Sequence, residues 1–218
     1  DRASKLGAPL LAYGQHWHAG RERDRLIYQD ETGLLDLPLP ALIGEHQIEN
    51  AGMAIAALRH LSCGEAACEA AVTKASWPAR MQRLKSGPVV DVMGAGGEVW
   101  LDGGHNPAAG NALGKALAEL PKRPLHLVCG MLNTKDISGY LRPLAQHADH
   151  LTAVSIPGEA NTLPAEVTAQ AAVDVGMTAD TAQSVLDAVK VIQAKTPNAR
   201  ILICGSLYLA GAVLREHA

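Results

Sequence analysis

The side chains best suited to chemistry lie where an apolar run meets a helical pattern, in LDGGHNPAAGNAL at residues 101–113. Asp102, two glycines and His105 follow the apolar run, and Asn106 with Pro107 marks a helix start. In an open α/β sheet, ligands bind beyond the carboxyl ends of strands, and a helix N-terminus attracts phosphate. An acid and a histidine at that point can hold a ribose and phosphates. The alternative is that Asp102 only bonds the backbone amides of a tight turn.

Two other segments carry side chains that suit a nucleotide. In GEHQIENAGMAIAALRHL, residues 44–61, Gln47 and Asn50 offer the paired donor and acceptor that an adenine edge requires. In WPARMQRL, residues 77–84, Arg80 can form forked hydrogen bonds to phosphate oxygens. Taken alone, the first segment is an amphipathic helix and Arg80 is a surface arginine.

Two weaker signals lie further along the chain. GMLNTKD at residues 130–136 carries Lys135, and CGSLYLAG at residues 204–211 carries Ser206. Without further support these are a loop lysine and a serine that caps a helix.

The five segments together resemble the ordered motifs of the folylpolyglutamate synthases and dihydrofolate synthases, which belong to the Mur ligase superfamily. DGGHNP is similar to that family's DGAHNP, and the segment with Asn50 resembles GxHQxxNAxxAxAAL. WPARMQRL resembles WPGRxQ, with Ala79 in place of the usual glycine, and the last two segments match a G-x-x-x-x-K-D turn and a terminal GSxYLxG. The resemblance extends from about residue 40 to the end of the chain.

The resemblance implies an ATP-dependent ligase that phosphorylates a folate carboxylate, after which the amine of L-glutamate displaces phosphate from the acyl phosphate. The implied substrates are dihydropteroate or a reduced folate, and the implied cofactors are ATP and Mg²⁺. ATP would be held by Asn50 with Gln47 at adenine, Asp102 at the ribose and Arg80 at the phosphates.

The remaining implied roles concern the reacting groups. His105 would lie near the transferring phosphoryl group, able to hydrogen-bond it or to take a proton from the incoming amine. Lys135 and Ser206 would orient glutamate. The family is usually monomeric, so a monomer is expected.

The phosphate-binding loop and the metal ligands of that family are missing from the sequence. No GxxxxGK followed by Ser or Thr occurs, and no carboxylate cluster suited to Mg²⁺ is evident. In the family these features lie in an amino-terminal domain, and Asp1 has no Met before it. We therefore expect a carboxy-terminal portion that, by itself, binds nucleotide weakly and makes no amide bond.

The patterns predict an α/β fold in two domains. Residues 1–75 are expected to be a remnant of the central ATP-binding domain, with a small antiparallel sheet (LLAYG, LIYQDETG and LLDLPLP, with a turn at 30–33) and helices from 45 and over 65–74. Residues 76–218 are expected to form a Rossmann-like, mostly parallel sheet with helices on both faces. The predicted strands there are VVDVM, EVWLDGG, LHLVCG, LTAVSI and RILICGS, and the predicted helices are 107–120, 140–147, 164–175, 181–196 and 207–216.

Composition excludes several classes of protein. A formal net charge of −3 gives no basic footprint for nucleic acid, and no apolar run reaches the ~18–20 residues of a membrane span. Four cysteines without a CxxC pair suit buried thiols in a reducing cytosol, so a cytoplasmic location is expected.

Two further features resemble binding motifs but are not predicted to be functional sites. Residues 94–97, GAGG, are predicted to be a hairpin turn between two strands, because no helix and no Lys-Ser/Thr pair follow them. His16 and His18 would share a strand face but have no third ligand at a suitable spacing, so no metal site is predicted.

Two alternatives remain. A peptidoglycan-precursor ligase would add an amino acid to a muropeptide, although such ligases typically carry other residues after the Asp of this motif. A non-catalytic, Rossmann-like nucleotide-binding module is the second alternative. It should carry G-x-G-x-x-G between its first strand and helix, where this chain has DGGHNP.

Overall fold

The computed structural model describes residues 2–216, which form one compact unit up to Ser76 and a second from Trp77. The first unit contains a short helix, a three-stranded sheet and two further helices. In chain order these are α1 (Arg2–Leu6), β1 (Trp17–Glu22), β2 (Arg25–Asp30), β3 (Gly33–Pro38), α2 (His46–His60) and α3 (Glu65–Thr73).

The sheet of the first unit is antiparallel throughout, in the order β1-β2-β3. Alternate residues of β2, Leu26 and Tyr28, point inwards and share a core with Ile48 and Ile55 of α2. The predicted turn at residues 30–33 closes the β2–β3 hairpin, where the Asp30 carboxylate accepts hydrogen bonds from both the backbone N–H and the hydroxyl of Thr32.

One strand prediction in the first unit is wrong: LLAYG, residues 10–14, forms no strand, and the first strand is β1. Local side-chain bonds fold this segment into a turn instead. The N–H of Ala12 donates to Nδ1 of His16, and the indole N–H of Trp17 donates to the carbonyl of Leu11, both at 3.0 Å. Gly14 has φ +78°, a value that ends an extended run.

The second unit is a six-stranded sheet in the order β4-β5-β9-β6-β7-β8, parallel except for the edge strand β4. Its strands are β4 (Gln82–Arg83), β5 (Glu98–Leu101), β6 (Leu125–Cys129), β7 (His150–Ala153), β8 (Ala179–Thr181) and β9 (Arg200–Cys204). Its helices are α4 (Pro88–Met93), α5 (Pro107–Glu119), α6 (Ile137–Leu141), α7 (Ala165–Asp174), α8 (Val185–Lys195) and α9 (Leu207–Glu216).

Helices cover both faces of this sheet, as predicted. On the central strand β9, Ile201 and Ile203 pack into one core with α4, α8 and α9, while Leu202 and Cys204 pack into the other with α5, α6 and α7. Every residue of β9 is buried. Burial on both faces explains why RILIC reads as an unbroken apolar run rather than an alternating one.

The prediction of a strand over VVDVM is wrong, because these residues form α4. Gly87 with φ +101° redirects the chain, and Pro88 stands at the first helical position, where its fixed φ suits a helix. Val89 and Met93, four residues apart, make one buried helical face, so packing overrides the β-propensity of the valines. Residues 94–97 therefore connect a helix to β5 and are not a hairpin turn.

Smaller differences concern the starts of two helices and a short strand. Helix α6 begins before the predicted segment 140–147 and ends inside it, because the Asp136 side chain caps it by accepting from the N–H of Gly139 at 2.9 Å. Helix α8 begins after its Ser184 cap, rather than at Thr181. The short strand β8, which pairs with β7 just before α8, was not predicted.

The order of the strands places a crevice between β5 and β9. These two strands are neighbours, but the chain leaves β5 for α5 on one face and β9 for α9 on the other. Such a switch point, at the carboxyl ends of parallel strands, is where open α/β sheets bind ligands. No helix in residues 2–216 is long and apolar enough to cross a membrane.

Candidate functional site

Asp102 is the first residue beyond β5 and ties two loops together. Its N–H continues the ladder by donating to Ile203 of β9 at 2.9 Å. Its carboxylate accepts from the N–H of Gly104 at 2.7 Å and from the N–H of Met81 at 2.8 Å, and the residue is only 5% exposed. The turn-bonding alternative is therefore present in the structure.

Gly104 stands where the family's DGAHNP motif has alanine. A Cβ there would lie 2.9 Å from a carboxylate oxygen of Asp102 and 3.0 Å from Cβ of Ala109. An alanine at this position would therefore require these two side chains to shift slightly, and glycine lets the turn close without that shift.

His105 is half-buried and its ring is oriented by the same turn. Nδ1 lies 2.9 Å from the carbonyl oxygen of Gly103, which can only accept, so Nδ1 carries the hydrogen. In the neutral ring Nε2 then holds the lone pair, and it makes no hydrogen bond to any residue in the described part of the chain. His105 is consequently prepared to accept a proton or a hydrogen bond at Nε2.

The N-terminus of α5 follows directly and is capped as predicted. The Asn106 side chain accepts from the N–H of Ala109 at 2.9 Å, and Pro107 has no N–H to satisfy. The N–H of Ala108 has no partner within residues 2–216. One exposed amide at a helix N-terminus is thus available to an anion beside His105.

Arg80 lies on a loop that the Asp102 turn holds in place. The N–H of Gly103 donates to the carbonyl of Ala79 at 2.9 Å, in addition to the bond from Met81 to Asp102. The Arg80 side chain is exposed, and among the described residues it has no hydrogen-bond or ion-pair partner. Arg80 therefore carries a guanidinium without an internal partner on a loop whose backbone is bonded to the DGG turn.

The departure from the family's WPGRxQ pattern falls on a strained residue. Ala79 has φ +55°, in the left-handed region that costs a non-glycine residue about 1–2 kcal/mol. Its methyl group is buried, with the residue 3% exposed, which contributes about 0.8 kcal/mol. Alanine also loses less backbone entropy on folding than glycine, and these two gains offset most of the strain.

Ser206 and Lys135 lie on the loops that follow the two neighbouring strands. The N–H of Gly130 donates to the carbonyl of Cys204, which joins the carboxyl ends of β6 and β9. Ser206 is 2% exposed, and its hydroxyl oxygen accepts from the N–H of Tyr208 at 3.0 Å as the cap of α9. Lys135 is half-buried, and its ammonium group has no partner in the described part of the chain.

Gln47 and Asn50 lie in the first unit, in the first turns of α2. Gln47 is 6% exposed, and its side-chain oxygen accepts from the amide N–H of Asn50 at 3.0 Å, while its Nε2 lies 2.9 Å from Nε2 of His46. Asn50 is exposed, and its Oδ1 has no partner in residues 2–216. Gln47 thus fixes the orientation of Asn50, whose free oxygen and second N–H can pair with a heterocycle edge.

Comparison with known proteins agrees with these motifs. A family model described as "Dihydrofolate synthetase, C-terminal domain" matches residues 89–216. This chain belongs to that family.

Two relatives show how much of a longer protein the chain represents. It is 29% identical to the folylpolyglutamate synthase of Lacticaseibacillus casei over 98% of the chain and 51% of that protein. It is 27% identical to the dihydrofolate synthetase of Saccharomyces cerevisiae over 100% of the chain and 53% of that protein. The chain therefore spans about half the length of these relatives.

Two solved structures have the same fold as this chain over almost its whole length. Mycobacterium tuberculosis folylpolyglutamate synthase complexed with ADP has a TM-score of 0.84 and 26% identity, over 98% of this chain and 50% of that one. E. coli FolC in complex with DHPP and ADP has a TM-score of 0.81 and 28% identity, over 98% and 48% of the two chains. The predicted α/β fold and the family resemblance are both confirmed.

The described residues do not supply a metal site. Within residues 2–216 no three His, Cys, Asp or Glu side chains are placed to hold a metal ion together. His16 instead uses its Nδ1 to accept the Ala12 N–H. The turn presents backbone amides and the Arg80 loop around a single carboxylate, Asp102, which already accepts two backbone N–H groups.

Sequence reasoning missed one contributor to the site. The side-chain oxygen of Gln82 accepts from the N–H of Ala79 at 2.8 Å and so closes the loop that carries Arg80. Its signal was present in the sequence, as the Gln of WPARMQRL. Two cavities of about 520 and 690 Å³ lie elsewhere, and none of the predicted site residues lines either of them.

Proposed function

We propose that this chain is the carboxy-terminal part of an ATP-dependent ligase that joins L-glutamate to dihydropteroate, to folylpolyglutamate, or to both. The observation that carries the proposal is the turn from Asp102 to Asn106 at the switch point of the sheet, which both orients His105 and holds the Arg80 loop. Membership of the dihydrofolate synthetase family supports it. In this proposal residues 1–75 belong to the central ATP-binding domain, and residues 76–218 are the carboxy-terminal domain.

ATP would contact groups that the chain leaves without internal partners. The guanidinium of Arg80 and the N–H of Ala108 would bind phosphate oxygens, since both are exposed and unpaired among the described residues. Asn50, oriented by Gln47, would pair with adenine. Asp102, which the turn already engages, would lie at the ribose, as the family resemblance implies. Relatives were solved as complexes with ADP, which supports this assignment.

The proposed reaction overcomes the low reactivity of a carboxylate. Transfer of the γ-phosphoryl group from ATP to the folate carboxylate gives an acyl phosphate and ADP. The glutamate amine then forms the C–N bond as the C–O bond to phosphate breaks, and the nitrogen loses a proton. Mg²⁺, when bound, neutralises phosphate charge, and its ligands are expected outside this chain.

His105 and Lys135 are assigned to the second step. Nε2 of His105 can take the proton that the amine loses, because Nδ1 is committed to the Gly103 carbonyl. The unpaired ammonium of Lys135 would bind a carboxylate of glutamate. Ser206 uses its oxygen as a cap but keeps its O–H, which can donate to the same substrate.

The proposal includes the setting of the enzyme. We infer a monomer in the cytoplasm, with ATP, glutamate and a pterin substrate as its partners and no nucleic acid or membrane. Four free cysteines, three of them buried, suit a reducing compartment.

ATP-dependent phosphate release by the full-length parent protein tests the proposal, with glutamate and either dihydropteroate or a reduced folate. We expect turnover with at least one pterin and a loss of about 10²- to 10⁴-fold in kcat for His105→Ala. The matched variant His60→Ala, at the end of α2, should keep full activity. Turnover only with a muropeptide precursor, or no turnover at all, would refute the proposal. Robust ligation by the 218-residue chain alone would refute its division between two halves.

A further inference from the structure

The loop that carries Arg80 holds an unfavourable backbone shape. Ala79 has φ +55° and Met81 has φ +41°, so residues on both sides of Arg80 occupy the left-handed region without being glycine. Such conformations persist only where the surrounding structure over-determines them, and they cluster at functional sites. Some specific contact must therefore hold this loop.

Three hydrogen bonds hold it, and they come from two sources. The DGG turn supplies two, through the Asp102 carboxylate to the Met81 N–H and through the Gly103 N–H to the Ala79 carbonyl. The third comes from the side-chain oxygen of Gln82, which accepts from the N–H of Ala79 at 2.8 Å.

Gln82 is well placed for this task. It begins β4 and pairs with Leu101 of β5, so its backbone is fixed to the sheet just before the DGG turn. Ala79 is 3% exposed, so its N–H has little access to water. Without the Gln82 oxygen that amide would be buried without a partner, a state that the loop would relieve by changing shape.

We propose that Gln82 is the positioning residue for Arg80. It does not touch the nucleotide itself. Its amide oxygen selects the loop conformation in which the guanidinium stands free beside the DGG turn, ready for phosphate. This inference rests on the proposed function, because it gives Arg80 a phosphate to bind. If only a fraction of the molecules has the loop conformation that binds phosphate, the apparent affinity for ATP falls in proportion to that fraction.

The nearly isosteric variant Gln82→Met, which lacks the amide oxygen, tests the role in the 218-residue chain by NMR titration. We expect ATP affinity to fall about tenfold, while adenosine affinity, which involves no phosphate, stays within about twofold. Arg80→Ala should lower the affinity for ATP by about 10- to 100-fold. The double variant should bind ATP no more than about twofold more weakly than Arg80→Ala, since Gln82 acts through Arg80.

Amide exchange gives a readout of the loop itself. The Ala79 N–H should exchange at least about tenfold faster in Gln82→Met, and remain slow in Gln82→Glu, which keeps an oxygen acceptor. Gln193→Met is the matched control: Gln193 lies near the end of α8, is half-buried and has no side-chain hydrogen bond among the described residues. It should change neither ATP affinity nor Ala79 exchange.

The outcomes separate this inference from the proposed function. A wild-type chain that binds no ATP would overturn both. Wild-type binding that falls in Arg80→Ala but not in Gln82→Met would overturn the inference alone. Three other results would also overturn the inference alone. These are additive losses of ATP affinity in the double variant, equal losses of ATP and adenosine affinity in Gln82→Met, and fast exchange of the Ala79 N–H in Gln82→Glu. If Gln82→Met does not fold, fast Ala79 exchange in Gln82→Glu would still overturn the inference.

Discussion

Replacement of Asp102 by asparagine should loosen the turn on which the site is built. The carboxylate has two oxygens and uses one for the Gly104 N–H, at 2.7 Å, and one for the Met81 N–H, at 2.8 Å. Asparagine supplies a single oxygen and an N–H₂ group. Whichever way its amide is turned, one backbone N–H will face another donor in a position that is 5% exposed.

The size of the effect follows from these two bonds. A hydrogen bond to a charged group contributes about 1.5–3 kcal/mol, and a buried donor without a partner costs about 1–3 kcal/mol. Asp102→Asn keeps one bond, now to a neutral acceptor, and loses the other. We therefore expect the free energy of unfolding of the second unit to fall by about 2–4 kcal/mol.

Urea unfolding followed by ¹⁹F NMR of 5-fluorotryptophan measures this change unit by unit. Trp100 of β5 reports on the second unit, and Trp17 of β1 reports on the first. Asp91→Asn is the matched control, because Asp91 is exposed on α4, and its change should stay within about 0.5 kcal/mol. A loss below about 1 kcal/mol for Asp102→Asn would refute the reasoning that the carboxylate holds both loops.

Three further predictions concern the stability of the second unit, each measured by the same urea unfolding. Ala79→Gly should change the free energy of unfolding of the second unit by less than about 0.5 kcal/mol, because relief of backbone strain offsets the loss of the buried methyl group. Ala79→Val should lower it by about 2 kcal/mol or more. Burial and the neighbouring His150 lower the pKa of His126, so the unfolded chain binds more protons. The free energy of unfolding should therefore reach its full value above about pH 6.5 and fall as the pH drops towards the pKa of His126 in the folded chain. His126→Leu should make the free energy of unfolding depend less on pH. Burial raises the pKa of the Glu98 carboxyl, but hydrogen bonds and the charge of Arg200 outweigh it and lower the pKa overall, so Glu98→Gln should cost about 1–3 kcal/mol.

Specific results would contradict each of these. A gain above about 1 kcal/mol in Ala79→Gly would mean that the buried methyl contributes little. An unchanged pH profile in His126→Leu would assign the dependence to other groups. A Glu98→Gln variant as stable as wild type would mean that Arg200 does not need its partner.

Much of the fold could be predicted because its signals are local. LHLVC and RILIC are short apolar runs, and the Asn106–Pro107 pair caps a helix through atoms three residues apart. The valines of α4 misled the prediction, since their β-propensity is overridden by Pro88 and by burial of one helical face. That outcome depends on packing partners elsewhere in the chain.

The sequence predicts which residues make up the proposed site, but not the hydrogen bonds between them. The turn at Asp102 and the histidine after it could be found from an acid and a helix start beyond an apolar run. That the carboxylate reaches the N–H of Met81, 21 residues earlier, depends on the pairing of β4 with β5. The loop of Ala79 and its bond to Gln82 depend on the same pairing, which no local pattern indicates.

An ATP titration of the ¹⁵N-labelled 218-residue chain tests the central claim most directly, with NAD at the same concentrations as the comparison. The account predicts that ATP shifts the amide signals of Arg80, Gly104, His105 and Ala108 and the side-chain amide of Asn50, and that NAD leaves them in place. Shifts confined to other residues, or an equal response to NAD at these positions, would contradict it.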